Sequence, residues 1–148
     1  MTFQFTLASL LRLRRSLEHQ RALALQQASL NVARAREALA RLESFLEESA
    51  CADARSLSGG RMAAELHFAS LLRERLQNLR VQIQNEVRHL ETLRHQAVIA
   101  YRQSLGEREA LEGLCARQRS AYQLEQTRRR QQEVDAIFLL QRWQGRDG

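Results

Sequence analysis

LQQASLNVARAREALARLESFL, residues Leu25–Leu46, is the stretch whose reading decides the fold. Leu25, Ala28, Val32, Ala35, Leu39, Leu42 and Leu46 are apolar and follow one another by alternating steps of three and four. Between them stand mostly Arg, Glu, Gln, Ser, Asn and Ala. Such spacing is an a/d heptad seam, the narrow stripe that one helix presents to another. A second stripe with the same steps follows downstream: Ala69, Leu72, Leu76, Leu79, Ile83, Glu86, Leu90, Leu93, Ala97 and Ala100, with Glu86 its one polar member. If the chain folds back so that Leu42 meets Ala69, then Leu39 meets Leu72, Ala35 meets Leu76, Val32 meets Leu79 and Ala28 meets Ile83. Small residues then sit opposite large ones in most layers, and knobs fill holes. The reading is all-α: an antiparallel two-helix coiled-coil hairpin. The alternative is that each stripe pairs with another chain, because periodicity does not name its own partner.

Composition fits long helices better than a globule. The chain of 148 residues has no proline, and aromatic residues are 5%; average usage would supply roughly seven prolines. Leu, Ala, Arg, Gln and Glu dominate, all good helix formers. A pair of helices buries a seam rather than a closed core, so its stability is expected to be modest.

The whole chain reads as one coiled-coil domain. Thr6 is placed as an N-cap, with helix 1 over about 7–49. Leu7, Leu10, Leu17 and Ala24 lead into the seam, interrupted by Arg14 and Arg21, whose stems lie along it while their heads reach water. A stutter is expected where the stripe drifts. Ala50 to Gly60, with Asp53, Ser56, Ser58, Gly59 and Gly60, is the one cluster of breakers and is read as the loop. Glu47 and Glu48 would then end helix 1 against its macrodipole, within reach of Arg61; an exposed pair of this kind adds at most about 1 kcal/mol.

Helix 2 is read from about 61 to 143, roughly 120 Å against roughly 65 Å for helix 1 at 1.5 Å per residue. It must overhang. In the register above Phe5 faces Gly106, so helix 2 loses its partner there, and Gly106 and Gly113 mark the expected bend. The overhang ends in an apolar run, Ile137-Phe-Leu-Leu-Gln-Arg-Trp143, of the kind that marks a contact.

Net charge is +6, carried by arginine with no lysine. Seven Arg face Glu18 and Glu37 in residues 1–41, whereas residues 42–60 hold Glu43, Glu47, Glu48 and Asp53 against Arg55. The expected hairpin tip is acidic and its open end basic, which points to partners of different sign, or to an ordinary solvated surface. Cys51 and Cys115 show no metal-binding or redox spacing and read as reduced thiols, too far apart in this fold to be joined. No targeting signal is read at the start, and no window has the length and apolarity of a membrane span.

Chemistry-bearing motifs are missing from this reading. There is no phosphate loop, GxSxG or HExxH, and His19, His67, His89 and His95 form no ligand spacing. Acid pairs such as Glu107 and Glu109 lie on an open helix with no cleft to shift their ionisation. The expectation is no enzyme, no metal, no cofactor and no small-molecule ligand. From Glu107 on there are eight Arg against seven acids, a weak footprint for nucleic acid, and none is expected as a partner.

The two ends of the chain carry a pattern. Phe3-x-Phe5-x-Leu7-x-x-Leu10-Leu11-x-Leu13-Arg14 resembles the opening of the flagellar export protein FliJ family. Leu111-x-x-Leu114, then Tyr122-x-x-Glu125-x-x-Arg128, Gln131-Gln132-Glu133 and Asp135, resembles its C-terminal part. Gln132 departs from a common Lys, and Ala136 from a frequent acid.

The resemblance implies a stalk-like coiled coil of the flagellar type III export apparatus. Its implied partners are the hexameric flagellar export ATPase, the export gate membrane protein and substrate chaperones, at the cytoplasmic face of the cell membrane. By that analogy Phe3, Phe5, Arg14, Tyr122, Glu125, Arg128 and Asp135 would meet the ATPase ring. Leu42, Phe45 and Phe68, on the tip side, would meet the gate or chaperones. Two other readings stand beside it. One is the stalk of a virulence-type III secretion system. The other is a membrane-surface amphipathic protein using Phe3, Phe5, Leu7, Leu10 and Leu11 with Arg12, Arg14 and Arg15.

Overall fold

The computed structural model describes residues 2–57, 59–60 and 62–146. Two helices, α1 (Ala8–Leu57) and α2 (Ala63–Gln144), make up almost all of it, and no strand occurs among the described residues. The chain is an all-α hairpin whose second helix is the longer. Its contacts gather into two compact units, Met1–Glu18 with Gln103–Gly148, and His19–Arg102.

In the His19–Arg102 unit all seven seam positions of α1 are buried or half-buried, and Val32, at 1% exposure, is the most enclosed side chain. Ion pairs set the direction and register. Arg36 reaches Glu91, Arg80 reaches Glu43 (3.2 Å) and Arg73 reaches Asp53. Moving up α1 therefore means moving down α2, and the helices are antiparallel. The register differs from the expected one: Glu43 lies by Arg80, whereas Leu42 was expected beside Ala69. The slide is about two heptads, which leaves the phase of the seams intact.

Its cause is the turn. The helix does not end near Ser49 but continues through Ala50, Ala52 and Ala54 to Leu57. Alanines favour helix, and Asp53 and Ser56 are accommodated there: the Ser56 hydroxyl donates to the Asp53 carbonyl (3.1 Å). The Gly59 amide then donates to the Ser56 carbonyl (3.0 Å), and Gly60 takes φ +74°, a conformation that favours glycine. Glu47 and Glu48 are consequently within the helix, and Arg55 occupies its last turn, where a cation suits the dipole. The partner expected for those acids, Arg61, lies outside the described residues, as does Ser58.

The α2 stripe shifts as well. Ile83 is followed inward by Val87 (8% exposed), not by Glu86, which is exposed. Two consecutive steps of four there absorb a stutter. Leu72, Leu79 and Leu93 remain 42–45% exposed, so the seam is thinner than the pattern implied.

In the other unit Leu11 (7%) and Ser104 (7%) are the buried residues. α1 starts at Ala8, one residue later than expected, after a turn in which the Ala8 amide donates to the Phe5 carbonyl (3.1 Å). Leu10 and Leu17 are half-buried, whereas Leu7, at 36%, and Leu13, at 55%, are exposed. Entering the seam, Ala22 is half-buried where Ala24 was expected, and Arg21 is exposed.

α2 passes unbroken through Gly106 and Gly113, where a bend was expected. A Cβ at either position meets nothing within 4 Å. Gly106→Ala and Gly113→Ala are therefore each expected to stabilise the chain by about 0.5–1 kcal/mol, read as a higher urea midpoint, because they remove the unfolded-state freedom of glycine from a helix interior. A lower midpoint would show a strain at that point of α2 that the geometry does not contain.

Candidate partner-binding surfaces

The start of the chain packs on the last third of α2. The rings of Phe3 and Tyr122 lie 5.6 Å apart at 48°, and the Arg119 guanidinium sits 5.7 Å from the centre of the Phe3 ring. The first contact is a tilted aromatic pair and the second a cation–π contact. Pairing thus extends well past Gly106, the point at which α2 was expected to lose its partner. Phe3, Phe5 and Tyr122 are all half-buried.

Arg14 pairs with Glu107, so its charge is already engaged within the unit. A chain of charges lies beside it. Arg15 reaches Glu112 (3.2 Å), Glu112 accepts from Arg108 (2.6 Å), and Arg108 lies against Glu18. Contact with the Glu18 carboxylate raises the Arg108 pKa above its ordinary value; burial opposes this and the charge of Glu112 adds to it. The guanidinium bridges two carboxylates from different helices. Glu18 and Arg108 are about a fifth exposed, against 77% and 61% for the Arg41–Glu37 pair within α1. Glu18→Gln is therefore expected to lower the urea midpoint clearly. Arg41→Gln should change stability by less than about 0.5 kcal/mol, as an exposed i,i+4 pair does. Equal effects of the two would mean that the cross-helix bridge adds nothing.

The remaining ring-facing candidates lie on the exposed part of α2. Glu125 accepts from Arg129 (3.2 Å), and Asp135 accepts from the Gln131 amide (3.0 Å), both one turn away. Arg128 is exposed. The structure therefore brings Phe3 and Tyr122 together and gives Arg14 an internal partner, while Glu125, Arg128 and Asp135 face solvent. Beyond Gln126 every described residue is exposed, including Val134, Ile137, Phe138, Leu139, Leu140 and Trp143. The unpaired overhang starts there.

In the other unit the three tip-side candidates separate. Leu42 is a half-buried seam residue. Phe45 is 53% exposed and lies by Glu37, Arg41 and Glu48. Phe68, 68% exposed, borders an open groove of about 640 Å³ with Leu46, Asp53, Leu72, Arg73 and Leu76. Leu57 (64%) and Met62 (73%), beside the turn, add exposed apolar surface that periodicity did not single out. Arg119, Arg108 and Glu18 were missed for a related reason. Their roles come from the facing helix, and only the correct register would have exposed the opposite charges.

Both cysteines are free, Cys51 exposed and Cys115 half-buried. Among the described residues no group of side chains is placed to hold a metal ion, and no helix is long and apolar enough to cross a membrane. In the N-terminal segment Leu11 is buried and Phe3 lies on Tyr122, while Leu7 and Leu13 are exposed.

No curated protein and no solved structure matches the chain. A family model described as Flagellar FliJ protein matches residues 3–147. The chain belongs to that family, which is an export-component family of the bacterial flagellum and not an enzyme family.

Proposed function

We propose that this protein is the stalk of the flagellar type III export apparatus: it binds the hexameric export ATPase, promotes its assembly and turnover, and links it to the export gate and to substrate chaperones at the inner face of the cell membrane. The observation that carries the reading is the overhang of α2. Residues 127–146 leave the paired part of the chain and expose a cluster of apolar side chains ending in Trp143, 75% exposed. A soluble helix retains such a cluster when another surface covers it. Arg128 and Asp135 lie on the same exposed stretch, with Glu125 just before it, and the three would give that contact its polar rim, whereas Phe3, Phe5 and Tyr122 act by fixing the base of the overhang. Arg14 serves the same purpose through Glu107.

At the turn, Phe45, Phe68 and the groove beside Phe68 form the surface for the gate or a chaperone. Leu42, half-buried in the seam, lies one turn before Phe45 on α1. The test is the turnover of the cognate export ATPase with and without this protein, with assembly followed by size exclusion in the same samples. Stimulation together with a larger ATPase species supports the stalk reading. No complex and no change in turnover at micromolar protein would overturn it.

A further inference from the structure

We propose that the overhang of α2 pairs, antiparallel, with the same segment of a second copy of this chain, about a two-fold axis between Leu139 and Leu140. Ala136, Leu139, Leu140 and Trp143 gather on one face of α2 and by themselves line a groove of about 440 Å³. All four are exposed. Place two such faces together head to tail and their sizes match. Leu139 meets Leu140 of the second copy, and Ala136, the smallest of the four, meets Trp143, the largest. A bulky ring entering the hole above an alanine is the knob-and-hole geometry that closes a helix pair without a void.

The charges agree with the same pairing. After the Arg128–Arg130 run, residues 133–146 carry their acids first, Glu133 and Asp135, and their arginines last, Arg142 and Arg146. Antiparallel pairing sets Glu133 level with Arg146 of the second copy across the face, and puts Asp135 on the same edge as its Arg142. Parallel pairing would set acid against acid. Among the described residues Glu133, Arg142 and Arg146 have no ion-pair partner within the chain, and Asp135 accepts only from the neutral Gln131 amide. Residues 133–146 thus have both signs free and ordered so as to complement themselves. Because the pairing is isologous, every contact is made twice. It closes on two copies and does not extend into a filament.

This inference is independent of the stalk reading, although the same face cannot serve a second copy and an ATPase ring at once. Self-pairing would hold the overhang covered until the ring takes it.

Sedimentation of the full chain across the micromolar range tests the proposal. The unsubstituted chain is expected to show a monomer–dimer equilibrium. Glu133→Arg with Asp135→Arg in one variant, and Arg142→Glu with Arg146→Glu in another, should each weaken self-association by at least about tenfold, which is about 1.4 kcal/mol. Mixing the two variants in equal amounts should restore a dimer, now a heterodimer. Trp143→Ala should weaken association without changing any charge, and circular dichroism should show each variant as helical as the parent. A chain that stays monomeric across the range overturns the proposal. So does a dimer that ignores both charge reversals and their mixture, or a monomer that instead binds vesicles of anionic phospholipid through Trp143.

Discussion

A Val32→Asp variant is expected to lose its cooperative unfolding transition at room temperature. Val32 is at 1% exposure and is the most enclosed side chain among the described residues. A carboxylate there is taken out of water into the packed seam, and burying such a group costs several kcal/mol even after it protonates. The rest of the structure cannot absorb that loss. Beside Val32, only Val87, Leu11 and Ser104 are buried among the described residues, so the net stability of this seam is small. Val32→Ala is the graded control, expected to cost about 2 kcal/mol for the lost methyl groups and the space left behind. Far-UV circular dichroism against temperature reads both. A Val32→Asp chain that still melted cooperatively near the parent temperature would show that the seam is not what holds α1 to α2.

Removing residues 127–148 is expected to abolish stimulation of the export ATPase while leaving the melting temperature almost unchanged. The cut falls after the last half-buried residue of α2, Gln126, so Phe3, Tyr122, Arg14 and Glu107 keep their contacts. A cut after Gly106 would be a poorer test, since it also strips away the surface on which Phe3 and Arg14 rest. Turnover and ring assembly are measured with the truncated and full chains side by side. Stimulation that survived the truncation would move the ATPase contact elsewhere, with Arg119, Tyr122 and the N-terminal turn as the next surface. The Arg142→Glu, Arg146→Glu variant separates the two uses of the overhang. It lacks self-pairing yet retains the apolar residues and Asp135, and so should still stimulate.

Helix content, antiparallel pairing and the overhang were all legible in the heptad pattern, because seven apolar positions from Leu25 to Leu46 leave few other folds open. The register was not. A seam that repeats every seven residues looks the same after a slide of seven or fourteen, so Leu42 can face Ala69 or a residue near Ile83 with the same apolar fit. What selects one register is the turn, and its placement depended on whether Ala50–Leu57 is helix or loop. Asp53 and Ser56 read as breakers in isolation. In the fold Asp53 receives Arg73, and Ser56 caps its own helix before Gly60 turns the chain. Once the turn moves toward Gly59 and Gly60, the Arg36–Glu91 and Arg80–Glu43 pairs follow. The candidate surfaces were legible to a different degree. Apolar residues at the end of α2 stand out in any linear reading, whereas the engagement of Arg14 with Glu107 is a property of two residues far apart in sequence.

α2 is a single hydrogen-bonded helix, yet its two parts are held by different means. Up to Gln126 it is supported by α1. From there to Gln144 it has only its own backbone, a run of less than 20 residues that in water sits close to the helix–coil balance. Amides on either side of that point therefore exchange with solvent at very different rates within one unbroken helix. Whatever surface receives the last turns must also supply the entropy of holding them helical, which lowers affinity for a given contact area and makes release fast. On the proposed reading, a stalk that engages and leaves the ATPase repeatedly gains from a grip of that kind.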